Sequence, residues 1–262
     1  MPPPRTSARR GPLRRRRRRD PLSNWVALLA FGLFAALLAP SVLPAVAPAA
    51  PTPQPMPLIP PRAVVVSDVL GAPPGPPTVA LTFDDGPDPR WTPKILEILR
   101  SHGAVATFCM VGTQVQRHPE LVREVVAAGM RLCDHSYSHD EELPERPAWT
   151  LRREIVDPQR ELVAAGDAPV AYFRAPAGNW SPAVLDLAVK YGMHPLGWSV
   201  DPRDWKRPGA AAIVEIVQQK MHPGAVVLLH DGGGPRDQTV AALEQLLPWL
   251  VAEGYQFGFP TP

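Results

Sequence analysis

The chain has 262 residues, 45% of them hydrophobic, which is enough to build one sizeable core. Its formal charge of +2 combines two regions of opposite sign. Residues 1–77 hold ten arginines and two acids, a net charge of +8, and the remainder holds 17 basic and 23 acidic residues, a net charge of −6. The acidic remainder argues against nucleic-acid binding, because phosphate groups need a positive surface. Two cysteines are too few for a disulfide scaffold or a four-cysteine zinc site.

The first 46 residues have the pattern of an export segment. Six consecutive arginines at 14–19 precede an apolar run at 25–39, an order that keeps the N-terminus in the cytoplasm and sends the following chain across the membrane. We therefore predict a basic cytoplasmic tail at 1–24 and a signal peptide or transmembrane anchor at 25–46. The run has 15 residues, fewer than the roughly 20 of a comfortable span. Because residues 47–49 also offer a small-residue cleavage site, both alternatives stay open.

Residues 47–77 are mostly Pro, Ala and Val, a composition that cannot bury a core. We predict a disordered, extended linker there, which would hold a globular domain at 78–262 away from the membrane. The domain is expected outside the cell, held at the cell membrane by an anchor or secreted after cleavage.

From residue 78 onward, apolar runs of strand length alternate with helical patterns. Seven runs predict strands, at 79–83, 105–111, 130–133, 170–173, 194–200, 225–229 and 255–259. Helices are predicted between most of them, at 92–103, 118–129, 149–166, 181–192, 210–221 and 237–254. Pro158 is expected to kink or break the third of these helices. The alternation predicts a parallel α/β architecture, either a barrel or an open sheet.

Chemically capable residues follow the predicted strands or end them. They are two pairs of aspartates, three histidines and an arginine: Asp84, Asp85, Asp201, Asp204, His135, His139, His230 and Arg174. Parallel strands bring their carboxyl ends to one edge of the sheet, where α/β folds place active sites. The sequence therefore predicts one site built from five segments.

Three of these residues have the spacing of a metal site. His135 and His139 are four residues apart, which on a helical turn places both imidazoles on one face. One aspartate of the Asp84-Asp85 pair can supply a third ligand, leaving a position for water as a hydrolytic site requires. Each motif alone is equally compatible with an acidic turn or a polar loop, but the joint pattern favours a hydrolase.

The five segments resemble the motifs of the polysaccharide deacetylases of carbohydrate esterase family 4, which share the NodB homology domain. The matching pieces are Thr82-Phe83-Asp84-Asp85-Gly86, His135-Ser136-x-x-His139, Arg174-x-Pro176-x-Gly178, Asp201-x-x-Asp204-Trp205 and Leu228-x-His230. The resemblance covers residues 78–259. It implies a distorted (β/α) barrel with about seven strands as the catalytic domain.

The resemblance implies a metal site and a general base. Asp85, His135 and His139 would hold a divalent metal, usually zinc in this family, although such a ligand set also accepts cobalt or another divalent ion. Asp84 would deprotonate the attacking water, and Arg174 would keep Asp84 ionised and oriented.

The resemblance also assigns the groups on the other side of the scissile bond. His230 would protonate the departing amine, with Asp204 keeping the imidazole cationic. The backbone N–H of Ala177, together with the metal, would bind the tetrahedral oxyanion. Trp205 and Leu228 would form the apolar pocket for the acetyl methyl group.

The implied activity is the metal-dependent removal of N-acetyl groups from peptidoglycan or chitin-type oligomers. An O-acetyl esterase on the same scaffold and a non-catalytic glycan-binding wall protein are the alternatives. The partners expected are an acetylated glycan and the membrane, without nucleic acid, and we expect a monomer. Two positions depart from the family pattern: Ala177 stands where a large aromatic is common, and Asp134 replaces a common Asn and adds a negative charge near the metal.

The two cysteines fall on neighbouring predicted strands. In an exported domain, Cys109 and Cys133 suggest a disulfide that closes a loop of about 25 residues. Two buried apolar thiols are the alternative.

Overall fold

Seven parallel strands form one curled sheet whose outer face is covered by helices. The computed structural model describes residues 65–67 and 75–261, all within a unit that spans Ala47–Pro262. The strands are β1 Thr78–Asp84, β2 Ala106–Met110, β3 Arg131–Asp134, β4 Val170–Phe173, β5 His194–Pro195, β6 Ala225–His230 and β7 Gln256–Phe257. The α-helices are α1 Thr92–Ser101, α2 Gly112–Arg117, α3 Pro119–Ala127, α4 Ala148–Gly166, α5 Pro182–Lys190, α6 Ala210–Lys220 and α7 Asp237–Ala252. Short 3-10 turns lie at Leu143–Glu145, Pro176–Gly178 and Asp204–Lys206.

The predicted N-terminal segments lie outside this part of the chain. The tail at 1–24, the signal peptide or anchor at 25–46 and most of the linker are not among the described residues. Within residues 65–67 and 75–261, no helix has both the length and the apolar character needed to cross a membrane.

The strand order β5-β4-β3-β2-β1-β6 brings the two ends of the sheet towards each other. Beyond β5, the N–H groups of Ser199 and Val200 donate to the carbonyl of Val226 on β6 at 3.0 and 3.1 Å, and the Leu228 N–H donates back to Val200 at 2.9 Å. All strand pairs are parallel. The predicted parallel α/β barrel is thus confirmed as a curled half-barrel.

Successive side chains along the central strands point to opposite faces of the sheet, which gives an outer core beneath the helices and a smaller core on the inner face. Phe83 and Phe108 face the helices and stack with ring centroids 5.1 Å apart. The inner cluster is built mainly from small side chains, among them Ala80, Ala171 and Val226. Because β1 is buried on both faces, its sequence is almost continuously apolar until Asp84.

The inner cluster also contains the two cysteines, and the structure joins Cys109 to Cys133 in a disulfide. The two residues are paired directly across β2 and β3, and both are fully buried. Cys109 is also in register with Asp84 on β1, so the disulfide lies in the strand layer that carries the first acidic residue of the site.

The fifth strand is shorter than predicted. Residues 194–200 were expected to form one strand, but β5 contains only His194 and Pro195. The carbonyl groups of Leu196 and Gly197 accept hydrogen bonds from the Arg174 side chain, at 3.3 and 2.7 Å. The regular strand therefore ends just before the two residues whose carbonyl groups bind this buried guanidinium. Helix α2, with six residues, is too short to show a period and was not predicted.

Pro158 was expected to kink or break its helix, and the structure shows no break. Helix α4 runs through the proline from Ala148 to Gly166. A proline leaves the carbonyl four residues earlier without its helical donor. Here that carbonyl, on Glu154, accepts from the Tyr137 N–H at 2.9 Å, so the lost hydrogen bond is replaced by a tertiary one.

One residue of the predicted linker, Val66, pairs with the sheet. The Val66 N–H donates to the carbonyl of Pro195, and the Val66 carbonyl accepts from Gly197, both at 2.8 Å. The Val66 side chain is buried. At residues 65–67 the structure therefore differs from the predicted free tether, because a β-branched residue pairs with the open edge of β5.

Candidate active site

A cavity of about 420 Å³ opens at the carboxyl ends of the strands. Eight of the ten residues predicted for catalysis, metal binding and substrate binding line it: Asp84, Asp85, His135, His139, Ala177, Trp205, Leu228 and His230. The other two, Arg174 and Asp204, are buried and bond to cavity residues. The structure brings all five segments into one site.

Asp84 and Arg174 form a buried ion pair at the floor of this cavity. Asp84 ends β1, and Arg174 follows β4 and is fully buried. The guanidinium donates from Nη1 to Asp84 Oδ1 at 2.6 Å and to the Thr82 hydroxyl at 2.9 Å. Burial raises the pKa of Asp84, but the charge and hydrogen bond of Arg174, together with His135 and His230, outweigh burial and hold the pKa below its ordinary value. The carboxylate is therefore ionised and fixed in orientation.

Asp85, His135 and His139 present three ligand atoms to one point. These atoms lie within 4.8 Å of one another, with Asp85 Oδ1 at 3.6 Å from His135 Nε2 and 3.3 Å from His139 Nε2. Asp85 and His139 both have left-handed backbones, with φ of 73° and 59°. Aspartate and histidine tolerate this conformation better than most residues, and such strain is typical of functional sites.

The two histidines reach this point from a loop, not from a helical turn as predicted. Residues 135–139 have no helical hydrogen bonding, and Ser136 is also left-handed, with φ of 64°. The Ser136 hydroxyl accepts from the His139 N–H at 3.0 Å and closes the loop. The spacing of four therefore has a different physical origin here: a tight loop folds the second imidazole back towards the first.

The donor set fits a divalent metal ion. Asp85 Oδ1 is buried and accepts no hydrogen bond from the part of the chain that the structure describes. His135 Nδ1 bonds to the carbonyl of Arg174 at 2.8 Å, which makes it the protonated nitrogen and leaves the Nε2 lone pair facing Asp85. Burial also lowers the pKa of His135, which favours the neutral, ligating form. An orphaned carboxylate oxygen beside two imidazole nitrogens is a typical zinc ligand set.

Asp134, predicted to add a negative charge near the metal, lies in surroundings that disfavour that charge. The residue is fully buried, and burial raises the pKa of its carboxyl well above the ordinary value, with the neighbouring Glu154 adding to the rise. Its Oδ1 accepts from the Ser136 N–H at 2.9 Å. Burial therefore works against the extra negative charge that the sequence predicted near the ligands.

His230 and Asp204 form the second acid–base pair. The carboxylate of Asp204 is buried and contacts His230 Nδ1 at 2.7 Å, while its other oxygen accepts from the His230 N–H at 3.0 Å and the Thr239 hydroxyl at 2.7 Å. Burial lowers the pKa of His230, but the hydrogen bond and charge of Asp204 outweigh it and raise the pKa to about 9. The imidazole is therefore cationic at neutral pH.

The three predicted substrate contacts surround the same cavity. Ala177 lies in the 3-10 turn with φ of 53°. At this position the turn presents only its backbone and a methyl group to the cavity, in place of a large aromatic side chain. Leu228 is buried, whereas the Trp205 ring is 48% exposed. Trp198, which was not predicted, also lines the cavity and packs where a side chain on Gly178 would lie. It offers an aromatic surface beside the turn that lacks one.

The glycine loop after His230 is a packing element that the sequence analysis missed. A Cβ on Gly232 would stand 2.1 Å from the Asp85 carbonyl oxygen, and one on Gly233 would stand 2.4 Å from Asp85 Oδ2. Arg236 is buried, donates from Nε to the Gly232 carbonyl at 2.6 Å and lines the cavity. The run of three glycines was the only signal, and it permits close approach to Asp85.

Replacing Asp85 by Ala is expected to weaken Zn²⁺ binding by more than about 100-fold, because it removes one of three ligands and outer-shell losses alone cost about 10–100-fold. Competition titration of the purified protein with a chromophoric chelator measures the affinity. Asp88→Asn, in the same turn but outside the triad, is the matched control and should bind like the wild type. Equal affinity in Asp85→Ala would contradict the assignment.

Comparison with known proteins identifies relatives over most of the described domain. A family model described as "Polysaccharide deacetylase" matches residues 71–196. A chitooligosaccharide deacetylase from Sinorhizobium fredii is 41% identical over 192 residues, which cover 69% of this chain and 89% of the relative. A peptidoglycan-N-acetylglucosamine deacetylase from Bacillus cereus is 41% identical over 184 residues, which cover 68% and 84%.

A solved structure from Bacillus anthracis, described as a CE4 family pseudoenzyme, matches with a TM-score of 0.66 and 31% identity. The match covers 71% of this chain and 64% of that chain. Because this fold also occurs in a pseudoenzyme, the site residues carry the functional argument. From the identity to named deacetylases and the five motifs around one cavity, we conclude that this chain belongs to the polysaccharide deacetylase family, hydrolases that act on amide bonds.

Proposed function

We propose that this domain removes N-acetyl groups from an extracellular or cell-surface glycan in a metal-dependent hydrolysis. The observation that carries the proposal is the pair of oppositely charged groups in one cavity: Asp84 is held ionised by Arg174, and His230 is held cationic by Asp204. A carboxylate and an imidazolium beside each other can serve as base and acid in the same reaction.

The first step is proton removal from water. Asp84 accepts this proton, and Arg174 keeps the carboxylate oxygens oriented while it does so. Asp85, His135 and His139 would hold the metal, which when bound polarises the carbonyl and lowers the pKa of water. The backbone N–H of Ala177 donates to the oxygen that becomes negatively charged as water adds to the acetamide carbon.

The second step breaks the C–N bond. An amine leaves readily only when it is protonated, and His230 donates that proton from its cationic ring. Asp204 stabilises the imidazolium beforehand and keeps Nδ1 as the protonated partner, so that Nε2 faces the cavity. The products are an amino sugar and acetic acid, which ionises to acetate and gives its proton to the amine or to solvent, and the proton taken from water by Asp84 restores His230 for the next turnover.

The substrate class follows from the relatives and from the cavity. The relatives are named as chitooligosaccharide and peptidoglycan-N-acetylglucosamine deacetylases, and both names describe chains of N-acetylated sugars. Trp198 and Trp205 offer two aromatic surfaces at the cavity, and aromatic rings are common partners for the apolar faces of sugars. We infer that a β-linked N-acetylglucosamine-containing glycan binds here, with Zn²⁺ as the metal.

The proposal predicts acetate release that depends on the metal. Purified protein should release acetate from N-acetylated chito-oligosaccharide or peptidoglycan, lose this activity after chelation and regain it with Zn²⁺ or Co²⁺. An O-acetylated xylan in the same panel tests the esterase alternative, since faster release from the ester would overturn the amide assignment. No release from any glycan in the presence of Zn²⁺ would favour a non-catalytic protein.

We propose that the domain acts outside the cytoplasm. The arginine run and apolar segment at 1–39 have the pattern of an export signal, and a disulfide between Cys109 and Cys133 suits an oxidising compartment. Fractionation of cells that express the full chain separates the two outcomes: an anchored protein stays with membranes, and a secreted one appears in the medium, shortened at its N-terminus.

A further inference from the structure

The loop at 135–139 is held between two helices by groups that the proposed chemistry does not use. On one side, the N–H groups of Gly112 and Thr113, at the start of α2, donate to two carbonyl groups of the loop at 2.9 Å each. On the other side stands α4, which contacts the loop through Glu154. Because two residues of this loop adopt left-handed backbones, outside contacts are needed to hold its shape.

Glu154 binds the loop through its side chain. The residue is only 6% exposed, and its carboxylate accepts from the Ser138 N–H at 2.9 Å and from the Ser138 hydroxyl at 3.0 Å to each oxygen. Ser138 immediately precedes His139. A buried carboxylate that is satisfied by one residue of the loop restricts the rotation of the next residue, whose imidazole faces Asp85.

Glu154 also binds the loop through its backbone. Its carbonyl accepts from the Tyr137 N–H at 2.9 Å. In an ordinary helix this carbonyl would accept from residue 158, but Pro158 has no N–H to donate. Pro158 also packs against Gly112: a Cβ added to Gly112 would lie 2.9 Å from the Pro158 Cβ. Because of the proline, the Glu154 carbonyl has no donor within the helix and accepts its hydrogen bond from the loop.

We propose that Glu154 and Pro158 together are positioning residues for the metal ligand His139. They act through Ser138 and Tyr137 and touch neither the ligand atoms nor the substrate. This inference rests on the metal site of the proposed function. The new element is that two residues of helix α4 raise the metal affinity of the site. Glu154 does so through its carboxylate, and Pro158 does so because it lacks the N–H that would otherwise bind the Glu154 carbonyl.

Full-length Glu154→Gln protein is expected to bind Zn²⁺ about 10-fold more weakly, the lower end of the effect of removing a direct partner of a metal ligand, because Glu154 acts on His139 through Ser138. Ser138→Ala keeps the charge of Glu154 and removes only the hydroxyl contacts. Weaker Zn²⁺ binding in this variant is expected, and it would show that Glu154 acts by positioning the loop and not through its charge alone. Asp157→Asn, on the same helix with a half-exposed side chain, is the matched control and should bind like the wild type.

Pro158→Ala tests the backbone contact. The new N–H competes for the Glu154 carbonyl, so Zn²⁺ affinity should fall several-fold while the helix content, measured by circular dichroism, stays constant. Pro248→Ala, at an exposed proline inside α7, should leave the affinity unchanged. A purely structural role predicts the opposite pattern, with a lower unfolding temperature of the metal-free protein and unchanged affinity in the folded fraction.

The outcomes separate the two levels of the argument. If the wild type does not bind Zn²⁺, the metal site of the proposed function is wrong. If the wild type binds and Glu154→Gln, Ser138→Ala and Pro158→Ala bind equally well, the positioning role is wrong and the proposed function stands. If Glu154→Gln does not fold, the other two variants decide.

Discussion

Replacement of Asp84 by Asn is expected to lower kcat by about 10²–10⁴-fold, the usual contribution of a positioned general base. The amide keeps the shape of the carboxylate but cannot take a proton from water. Metal affinity should change little, because Asp84 is not one of the three ligands. Acetate release and Zn²⁺ titration on the same sample measure both quantities.

The same variant should also be less stable. Arg174 is fully buried against Asp84, and removal of one partner of a buried ion pair leaves an uncompensated charge that costs about 3–5 kcal/mol. Urea unfolding measures this loss. In Asp84→Asn/Arg174→Met, stability should partly recover and activity should not. Full activity in the single variant would show that another group removes the proton.

The second large effect is expected for Asp204→Asn. The wild-type rate should fall as the pH rises through about 9, where His230 loses the proton that the leaving amine needs. Without the Asp204 charge, the His230 pKa should return towards its ordinary 6.5, a shift of about 2.5 units. At pH 8 the cationic fraction then falls about 30-fold, and the rate follows.

The alkaline limb of kcat/KM against pH measures this shift. Asp237→Asn removes a half-exposed carboxylate that pairs with Arg207 and should leave the limb in place. A limb at the same pH, with an unchanged rate below it, in wild type and Asp204→Asn would mean that His230 is not the acid. A lower rate at all pH values with an unmoved limb would assign Asp204 to folding alone.

The residues that gather in the cavity could be predicted because a parallel sheet converts position along the chain into position in space. Asp84, His135, Arg174 and His230 each end or follow a strand, and the parallel register places them at one edge. Apolar runs of strand length that alternate with helical patterns were sufficient for this inference. It required no knowledge of any side-chain contact.

The errors arose where tertiary contacts overrule local preference. Pro158 should end a helix by its own chemistry, but a distant N–H satisfies the freed carbonyl. The strand predicted at 194–200 is interrupted in its middle because Arg174, about twenty residues earlier, binds the carbonyl groups of Leu196 and Gly197. Asp134 carries a charge in isolation, whereas burial favours its neutral form. None of these effects has a local sequence signal.

The pairing of Val66 with β5 has a consequence for how this domain avoids self-association. An unpaired outer strand offers a row of free N–H and carbonyl groups on which a second molecule can add its own strand. By hydrogen bonding to Pro195 and Gly197, Val66 blocks this edge at its centre. A segment that composition describes as a spacer therefore also covers part of a strand edge, and we expect a protein trimmed to begin at residue 78 to aggregate more readily, measured as a smaller soluble fraction after expression.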